Sequence, residues 1–344
     1  MCLVGEEHLR LESPSARGVL AARMKVEWHR RLLGVKPALA EVMPALAPDI
    51  GPVTPAQEGP SGDELLESSQ VEREELGLLA KLPPFEPVAI SLVRLFDREY
   101  VAINEIARLV AADPSMTSEL LAVVNSPLFA FRHRVTSPGQ AITLLGVERT
   151  KSLAVTLAMR SMMQGAPKTP VVRRFWMHSL ATSTTARHFA PAFGIEPELA
   201  HVAALMHDLG RLGLLSAHPA EYTRLALTAH EAVKDILAAE KAAFGLDHCR
   251  AGGILSKAWN LPAIIRKVIE RHHGCSTRRD LLSLVQLCCR LADDLMFQSI
   301  HHREGRQPEE TVATRAPEGV RAQVMGGLEA AGAAVIAAIE TLDF

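Results

Sequence analysis

The second half of this chain carries side chains of the types that bind transition metals, and they are widely separated in sequence. They are His178, His207, Asp208, His248, His272, His273 and Asp293. Neutral imidazole and carboxylate groups suit Zn, Mn, Fe or Ni, and a mixed set of this size exceeds what a single four-coordinate structural zinc needs. We therefore expect one or two divalent ions. Such a site can lower the pKa of bound water and hold a phosphoryl oxygen, which is the chemistry of phosphoester hydrolysis.

Helical periodicity directs these side chains toward the protein interior. His178 continues an apolar stripe at intervals of three and four residues, and Val285, Cys289 and Asp293 form an inward row further along the chain. Burying several imidazoles and two carboxylates without an ion or a hydrogen-bond network costs several kcal/mol. The pattern favours a metal or phosphate ligand, and a polar core in which every group is hydrogen-bonded is the alternative.

Two arginines lie next to the candidate ligands. Arg211 follows His207-Asp208 and Arg271 precedes His272-His273, so each is placed to contact a phosphate-bearing cofactor or substrate. If the protein is an enzyme, Asp208 and Arg211 are the candidate catalytic residues. Arg211 would then neutralise the charge that develops on a phosphoryl group.

The composition is that of an ordinary globular protein. With 344 residues, 48% of them apolar, the chain can bury one large core or two moderate ones. A formal net charge of −2 gives no overall basic field, so we do not expect nucleic acid as a partner. No signal-peptide pattern and no run of about 20 apolar residues is present, which predicts a cytoplasmic protein without a membrane span. The cysteines form no CxxC pair, as is typical of a reducing compartment.

Most of the chain has the periodicity of helices. Between residues 76 and 300 nearly every periodic segment repeats at 3.6 residues, and alternating β-strand patterns are missing, so the predicted fold is all-α. Asp113-Pro114 and Ser137-Pro138 each supply a capping residue and a first-turn proline. Pro197 opens a predicted helix that ends at Gly210, and Pro262 opens one that ends at His272-His273.

The domain organisation is predicted from composition and from breaks in the pattern. The parts are an N-terminal extension (1–75), a helical body (76–300) with lobes over 76–165 and 166–300, and a linker with a C-terminal helix (301–344). The extension is rich in Pro and Gly, so we expect it to be poorly ordered apart from one helix around 17–46. The second lobe holds all the candidate ligands. The Ala-rich segment 318–342 should form a helix that packs on the body or self-associates, which leaves a homodimer open.

Several runs of residues point to a known family. They include Leu82-Pro83-Pro84, Asn125-Ser126-Pro127-Leu128-Phe129, Ala204-Leu205-Met206-His207-Asp208-Leu209-Gly210-Arg211 and Trp259-Asn260-Leu261-Pro262. Together they resemble the HDOD family, bacterial regulatory proteins related to the HD superfamily of metal-dependent phosphohydrolases. The resemblance implies two packed helical lobes and a role in signalling. In the related HD-GYP phosphodiesterases, further metal ligands occur where this chain has His248 and His272-His273.

Departures from the HD-GYP pattern favour a regulator over an enzyme. Gly274-Cys275-Ser276-Thr277 stands where that group has Glu and a Gly-Tyr-Pro loop, and Arg211 replaces the usual lysine. We therefore predict a signal-transduction protein that acts through protein–protein interaction, with a metal or a nucleotide as a ligand of the HD-like pocket. The alternative is a metal-dependent phosphohydrolase acting on cyclic dinucleotides or nucleotides, because the ligand set is more complete than a decayed site requires.

Overall fold

The structure is a computed structural model. It describes residues 77, 79, 85, 87–98, 100–126, 129, 131–228, 235–274, 276, 278–300 and 307–342. All of these belong to the unit Pro60–Phe344. The predicted extension over 1–75, with its helix around 17–46, lies outside the described residues. Within the described ranges the regular secondary structure is helical and includes no strand, which confirms the all-α prediction.

The helices before residue 166 form the first group, and their starts follow the predicted caps. Oδ1 of Asp113 accepts hydrogen bonds from the backbone N–H groups of Ser115 and Met116, at 2.8 and 3.1 Å. Oγ of Ser137 accepts one from Gln140 N at 3.3 Å. The group comprises α1 (Pro87–Arg94), a 3-10 turn (Leu95–Asp97), α2 (Ile103–Ala111), α3 (Pro114–Val124), α4 (Pro138–Leu145) and α5 (Val147–Gly165).

The second group is built around one long helix that is buried on most sides, and most of its buried positions are apolar or small. This helix, α6, packs against α7, α13 and α15. The group comprises α6 (Pro170–Phe193), α7 (Pro197–Leu205), α8 (Leu209–Ala217), α9 (Pro219–Thr228), α10 (Ile236–Phe244), α11 (His248–Ala258), α12 (Ala263–Arg271) and α13 (Leu281–Asp294). Two further helices follow, α14 (Pro308–Arg315) and α15 (Glu318–Leu342).

Two predicted helix boundaries were wrong, and both concern candidate ligands. The segment 197–210 is two helices, because α7 ends at Leu205 and α8 begins at Leu209, so His207-Asp208 lies in the turn between them. Likewise α12 ends at Arg271, and His272-His273 follows it. The reason is that carbonyls in the last turn of a helix lack N–H partners, and His207 and His272 each donate to such a carbonyl three residues earlier. Consecutive side chains in a turn can then be directed to the same place.

The C-terminal helix α15 packs along α6. The indole N–H of Trp176 donates to the carbonyl of Leu342 at 3.2 Å, which anchors the end of α15. At Gly327 the two helices approach so closely that an added Cβ would lie 2.8 Å from the ring of Phe189. Among the described residues α15 is long and apolar enough, by length and composition, to cross a membrane. One face, which includes Val324 and Val335, is buried against the rest of the protein.

Helices α8 and α11 touch through their backbones. A Cβ built on Gly210 would lie 1.8 Å from the carbonyl oxygen of His248 and 2.6 Å from the backbone nitrogen of Gly252. Only a residue without a side chain fits there. This contact places His248 directly beside the turn that carries Asp208.

We expect Gly210→Ala to lower the free energy of unfolding by about 3 kcal/mol, because α8 and α11 must separate to admit the methyl group. Chemical denaturation measures the change. Gly326→Ala is the matched control, since Gly326 is an exposed helical glycine with no heavy atom within 4 Å of an added Cβ. That substitution should stabilise the protein by about 0.5–1 kcal/mol. Similar effects of the two substitutions would contradict the packing described.

Candidate metal site

Most of the predicted ligands meet at one place in the interior, although four separate segments supply them. We call His178 and His207 the first histidine cluster, because their Nε2 atoms lie 3.3 Å apart. We call His248, His272 and His273 the second histidine cluster. In it, Nε2 of His248 lies 3.3 Å from Nε2 of His272 and 2.9 Å from that of His273.

Asp208 lies between the two clusters and presents one carboxylate oxygen to each. Oδ2 is 3.6 Å from Nε2 of His207 and 3.8 Å from Nε2 of His178. Oδ1 is 3.2 Å from Nε2 of His272 and 3.5 Å from Nε2 of His248. A carboxylate in this position can serve as a ligand on either side or join two ions.

The orientation of the histidine rings is set by hydrogen bonds from Nδ1. The distances are 2.7 Å from His178 to the carbonyl of Phe297, 2.6 Å from His207 to that of Ala204, 3.0 Å from His272 to that of Ile269, and 2.5 Å from His248 to Oε2 of Glu240. A carbonyl oxygen only accepts, so Nδ1 of the first three carries a hydrogen, and a ring with one hydrogen placed there has its lone pair at Nε2. Metal-binding histidines are held in this way.

The inner atoms of the site are therefore acceptors that face one another. Nε2 of His178 and Nε2 of His207 are such a pair, and Oδ1 of Asp208 has no hydrogen-bond donor among the described residues although Nε2 of His272 is 3.2 Å away. Acceptors at this distance repel unless a proton or a metal cation lies between them. Two nitrogen ligands on a tetrahedral zinc, each about 2.05 Å from the metal, are about 3.3 Å apart. The residues present fit a metal ion, and they could hold one.

The ionisation of the site suits metal binding near neutral pH. Burial lowers the pKa of His207 well below its usual value, and burial also lowers that of His248. Burial, together with the neighbouring His272 and His248, lowers the pKa of His273. Burial alone would raise the pKa of Asp208, but the Arg211 cation and His207 hold it well below the usual range. Neutral imidazoles and an ionised carboxylate need lose no proton to bind a metal.

Glu240 was not among the predicted site residues. It holds His248 of the second cluster in position through hydrogen bonds. It is fully buried on α10 and accepts hydrogen bonds from the hydroxyl of Tyr222 at 2.6 Å and from the backbone N–H of His248 at 2.9 Å. Burial alone would raise its pKa, but His248 and Arg211 lower it to about 2. A single acidic residue in the otherwise mostly apolar run of α10 was the available signal.

The two arginines predicted to contact phosphate are placed differently from one another. Arg211 is buried, with Nε 2.8 Å from Oδ2 of Asp208 and Nη1 3.2 Å from Oε1 of Glu240. The side chain of Arg271 is exposed, and its backbone carbonyl accepts a hydrogen bond from Nε2 of Gln286 at 2.9 Å. The Arg211 guanidinium is therefore bound within the protein.

Asp293 lies beside the first cluster on its outer side. Its Oδ1 is 3.5 Å from Nδ1 of His178, the nitrogen that faces away from Asp208, and its Oδ2 is 4.0 Å from Nη1 of Arg290. One turn earlier on α13, Sγ of Cys289 is 3.6 Å from Nε2 of His178. Cys289 therefore groups with the first cluster. Helical spacing predicted Cys289 on the same inward row as Asp293, but its thiol was not among the predicted ligands. Burial raises the pKa of this thiol well above its usual value.

The fold and the site together define the class of this protein. It is an all-helical protein with an internal site formed by histidines and an aspartate. The chain belongs to the HDOD domain family, whose sequence profile matches residues 82–275. The matched range contains both histidine clusters and Asp208. It ends before α13 and α15.

Solved structures of low sequence identity share the fold. An HDOD domain protein of unknown function from Geobacter sulfurreducens has a TM-score of 0.61 and 20% identity, over 79% of this chain and 98% of that chain. A proposed phosphohydrolase from Shewanella amazonensis SB2B has a TM-score of 0.59 and 18% identity, over 78% and 97% of the two chains. A proposed signal transduction protein from Marinobacter aquaeolei VT8 has a TM-score of 0.61 and 17% identity, over 80% and 66%. Among curated proteins none matches this sequence.

Proposed function

We propose that this protein is a signal-transduction protein that acts on partner proteins and holds a divalent transition metal in its second lobe without hydrolysing a phosphoester. The observation that carries this proposal is the placement of Arg211. Its guanidinium is buried and forms ion pairs with Asp208 and Glu240, so the cation nearest the site is not available to neutralise a phosphoryl group.

The donor set supports the metal part of the proposal. The inward atoms are imidazole nitrogens and carboxylate oxygens, with the Cys289 sulfur at the edge, and this set suits Fe, Mn, Ni or Zn. When bound, one or two such ions would neutralise repulsion among the facing acceptors. The ligands come from α6, the α7–α8 turn, α11 and the end of α12. A bound metal would therefore link these four segments. It would stabilise one conformation of the second lobe, and a partner protein would bind that conformation.

Metal-dependent phosphohydrolysis of cyclic dinucleotides or nucleotides is the second candidate function. The observation that favours it is the position of Asp208, whose two oxygens face different histidine clusters, as a ligand shared by two ions would. A pair of bound ions supplies Lewis-acid stabilisation of a phosphoryl oxygen. The resemblance to the proposed phosphohydrolase from Shewanella amazonensis SB2B is consistent with this function.

Elemental analysis of the purified full-length chain, combined with a turnover screen, separates the two functions. We expect the protein to retain one or two equivalents of a divalent transition metal, because the ligands are buried and oriented before binding. We expect no turnover of cyclic dinucleotides or nucleotides when Mn, Fe or Ni is added. Binding of the same nucleotides is measured in parallel, because a nucleotide that binds without turnover would be a ligand of the regulator.

The outcomes are distinct. Turnover that Asp208→Asn abolishes would replace the first proposal by the second. Protein that contains no metal after purification and binds none on titration would contradict both.

A further inference from the structure

A cavity lies on the opposite side of α6 from the metal site. Its volume is about 340 Å³, which is within the range of small-molecule sites, roughly 300–1,000 Å³. From α6 it is lined by Leu180, Thr184, Arg187 and His188, of which Leu180 and Thr184 lie deepest in the helix packing. At about 100° per residue Leu180 and Thr184 are rotated roughly 160° and 120° from His178, so the two sites are separated by the helix itself. We call this space the α15 cavity, because α15 forms one of its walls.

The walls of the α15 cavity combine apolar and polar groups. Leu153, Leu180 and alanines of α15 that include Ala337 supply apolar surface. The hydroxyl of Thr184, on a residue that is 7% exposed, has no hydrogen-bond partner among the described residues. Thr156 is also in the lining and bonds to His201 at 2.9 Å. Buried polar groups are usually hydrogen-bonded, so this unpartnered hydroxyl next to the cavity is free to bond to a water or to a polar ligand atom.

The charged residues of the lining are all basic. Arg149 and Arg187 line the cavity, and no Asp or Glu does so among the described residues. Arg187 is neutralised by Glu198, with Nη2 2.7 Å from Oε2. Arg149 is exposed, and its guanidinium lies 5.2 Å from the centre of the Phe129 ring. The cavity therefore has one positive charge that is not balanced by an acid in its lining.

We propose that the α15 cavity binds a small amphipathic anion, in which a carboxylate or phosphate group contacts Arg149 and an apolar body packs between α5, α6 and α15. The proposal does not depend on the metal site. Helix α15 lies beyond the residues that match the HDOD family, so this cavity is lined both by residues inside the matched range and by residues outside it.

Isothermal titration calorimetry of the full-length chain tests the proposal with octanoate, octyl phosphate and the neutral octanol. At least one of the two anions should bind with a Kd below about 1 mM and at least about tenfold more tightly than octanol, because only the anions pair with Arg149. The two anions distinguish a carboxylate site from a phosphate site. Equal affinities for octanol and the anions, or no binding of either anion, would overturn the proposal.

Matched variants locate the binding. Arg149→Gln should weaken anion binding by about tenfold, and Arg278→Gln, an exposed arginine outside the lining, should leave it unchanged. Ala337→Phe should abolish binding by filling the cavity, whereas Ala333→Phe, on an exposed part of α15, should not. Circular dichroism checks the fold, and Ala338→Leu replaces Ala337→Phe if the latter does not fold. Binding that survives the cavity-filling change in a folded variant would contradict the proposed location.

Discussion

Replacing Asp208 by asparagine is expected to weaken binding of a divalent transition metal by at least about 100-fold, because even a residue that only orients a ligand costs about 10- to 100-fold. Asp208 is the carboxylate that faces both histidine clusters, with oxygens 3.2 Å from Nε2 of His272 and 3.6 Å from Nε2 of His207. Asparagine keeps the size of the side chain but removes its charge. Titration of chelator-treated protein with Zn or Mn, followed by calorimetry, measures the loss.

Substitutions at two other carboxylates serve as comparisons for Asp208→Asn. Asp97→Asn, at an exposed carboxylate outside the site, should have no effect on metal binding. Asp293→Asn should weaken it by about tenfold, the lower end of that range, because Asp293 is 3.5 Å from Nδ1 of His178 and this nitrogen is already held by the carbonyl of Phe297. An effect of Asp293→Asn as large as that of Asp208→Asn would show that Asp293 belongs among the ligands themselves.

Glu240→Gln is expected to lower the free energy of unfolding by about 3–5 kcal/mol at neutral pH, the usual cost of removing one partner of a buried ion pair. Glu240 is fully buried and accepts from Tyr222 and from His248, and it pairs with Arg211. The substituted glutamine would leave Arg211 with Asp208 as its one acidic neighbour in this network. The N–H group of its amide would also face a neighbouring hydrogen-bond donor. Chemical denaturation in the presence of a chelator measures the change without a contribution from metal.

The effect of Glu240→Gln should also depend on pH in a defined direction. The pKa of Glu240 is lowered from 4.5 to about 2, so its ionised form stabilises the fold fully above pH 4.5, and this contribution is lost as the pH falls toward 2. Between pH 7 and about pH 3 the difference in stability between the natural protein and Glu240→Gln should shrink by about 2 kcal/mol. Glu221→Gln, at an exposed glutamate, should show no such dependence. A difference that stays constant with pH would mean that folding does not lower the pKa of Glu240.

The sequence contained enough information to predict the class of fold and most of the candidate ligands. The capping residues Asp113 and Ser137 begin α3 and α4 as predicted, because caps and first-turn prolines act locally. The inward positions of His178 and Cys289 follow from helical spacing alone. The helix boundaries at His207 and His272 were mispredicted, because the hydrogen bonds that end those helices use the ligand side chains themselves.

Local pattern determined which residues of this protein are helical and which face inward, because periodicity and capping depend on neighbours a few positions away. Only the tertiary structure decided that Arg211 is bound by both Asp208 and Glu240. It also decided that Asp293 contacts Nδ1 of His178, whereas Cys289 contacts Nε2, the nitrogen that faces the site. The reason is that all of these contacts except that of Arg211 with Asp208 join residues far apart in sequence, and their geometry depends on how closely helices such as α8 and α11 pack.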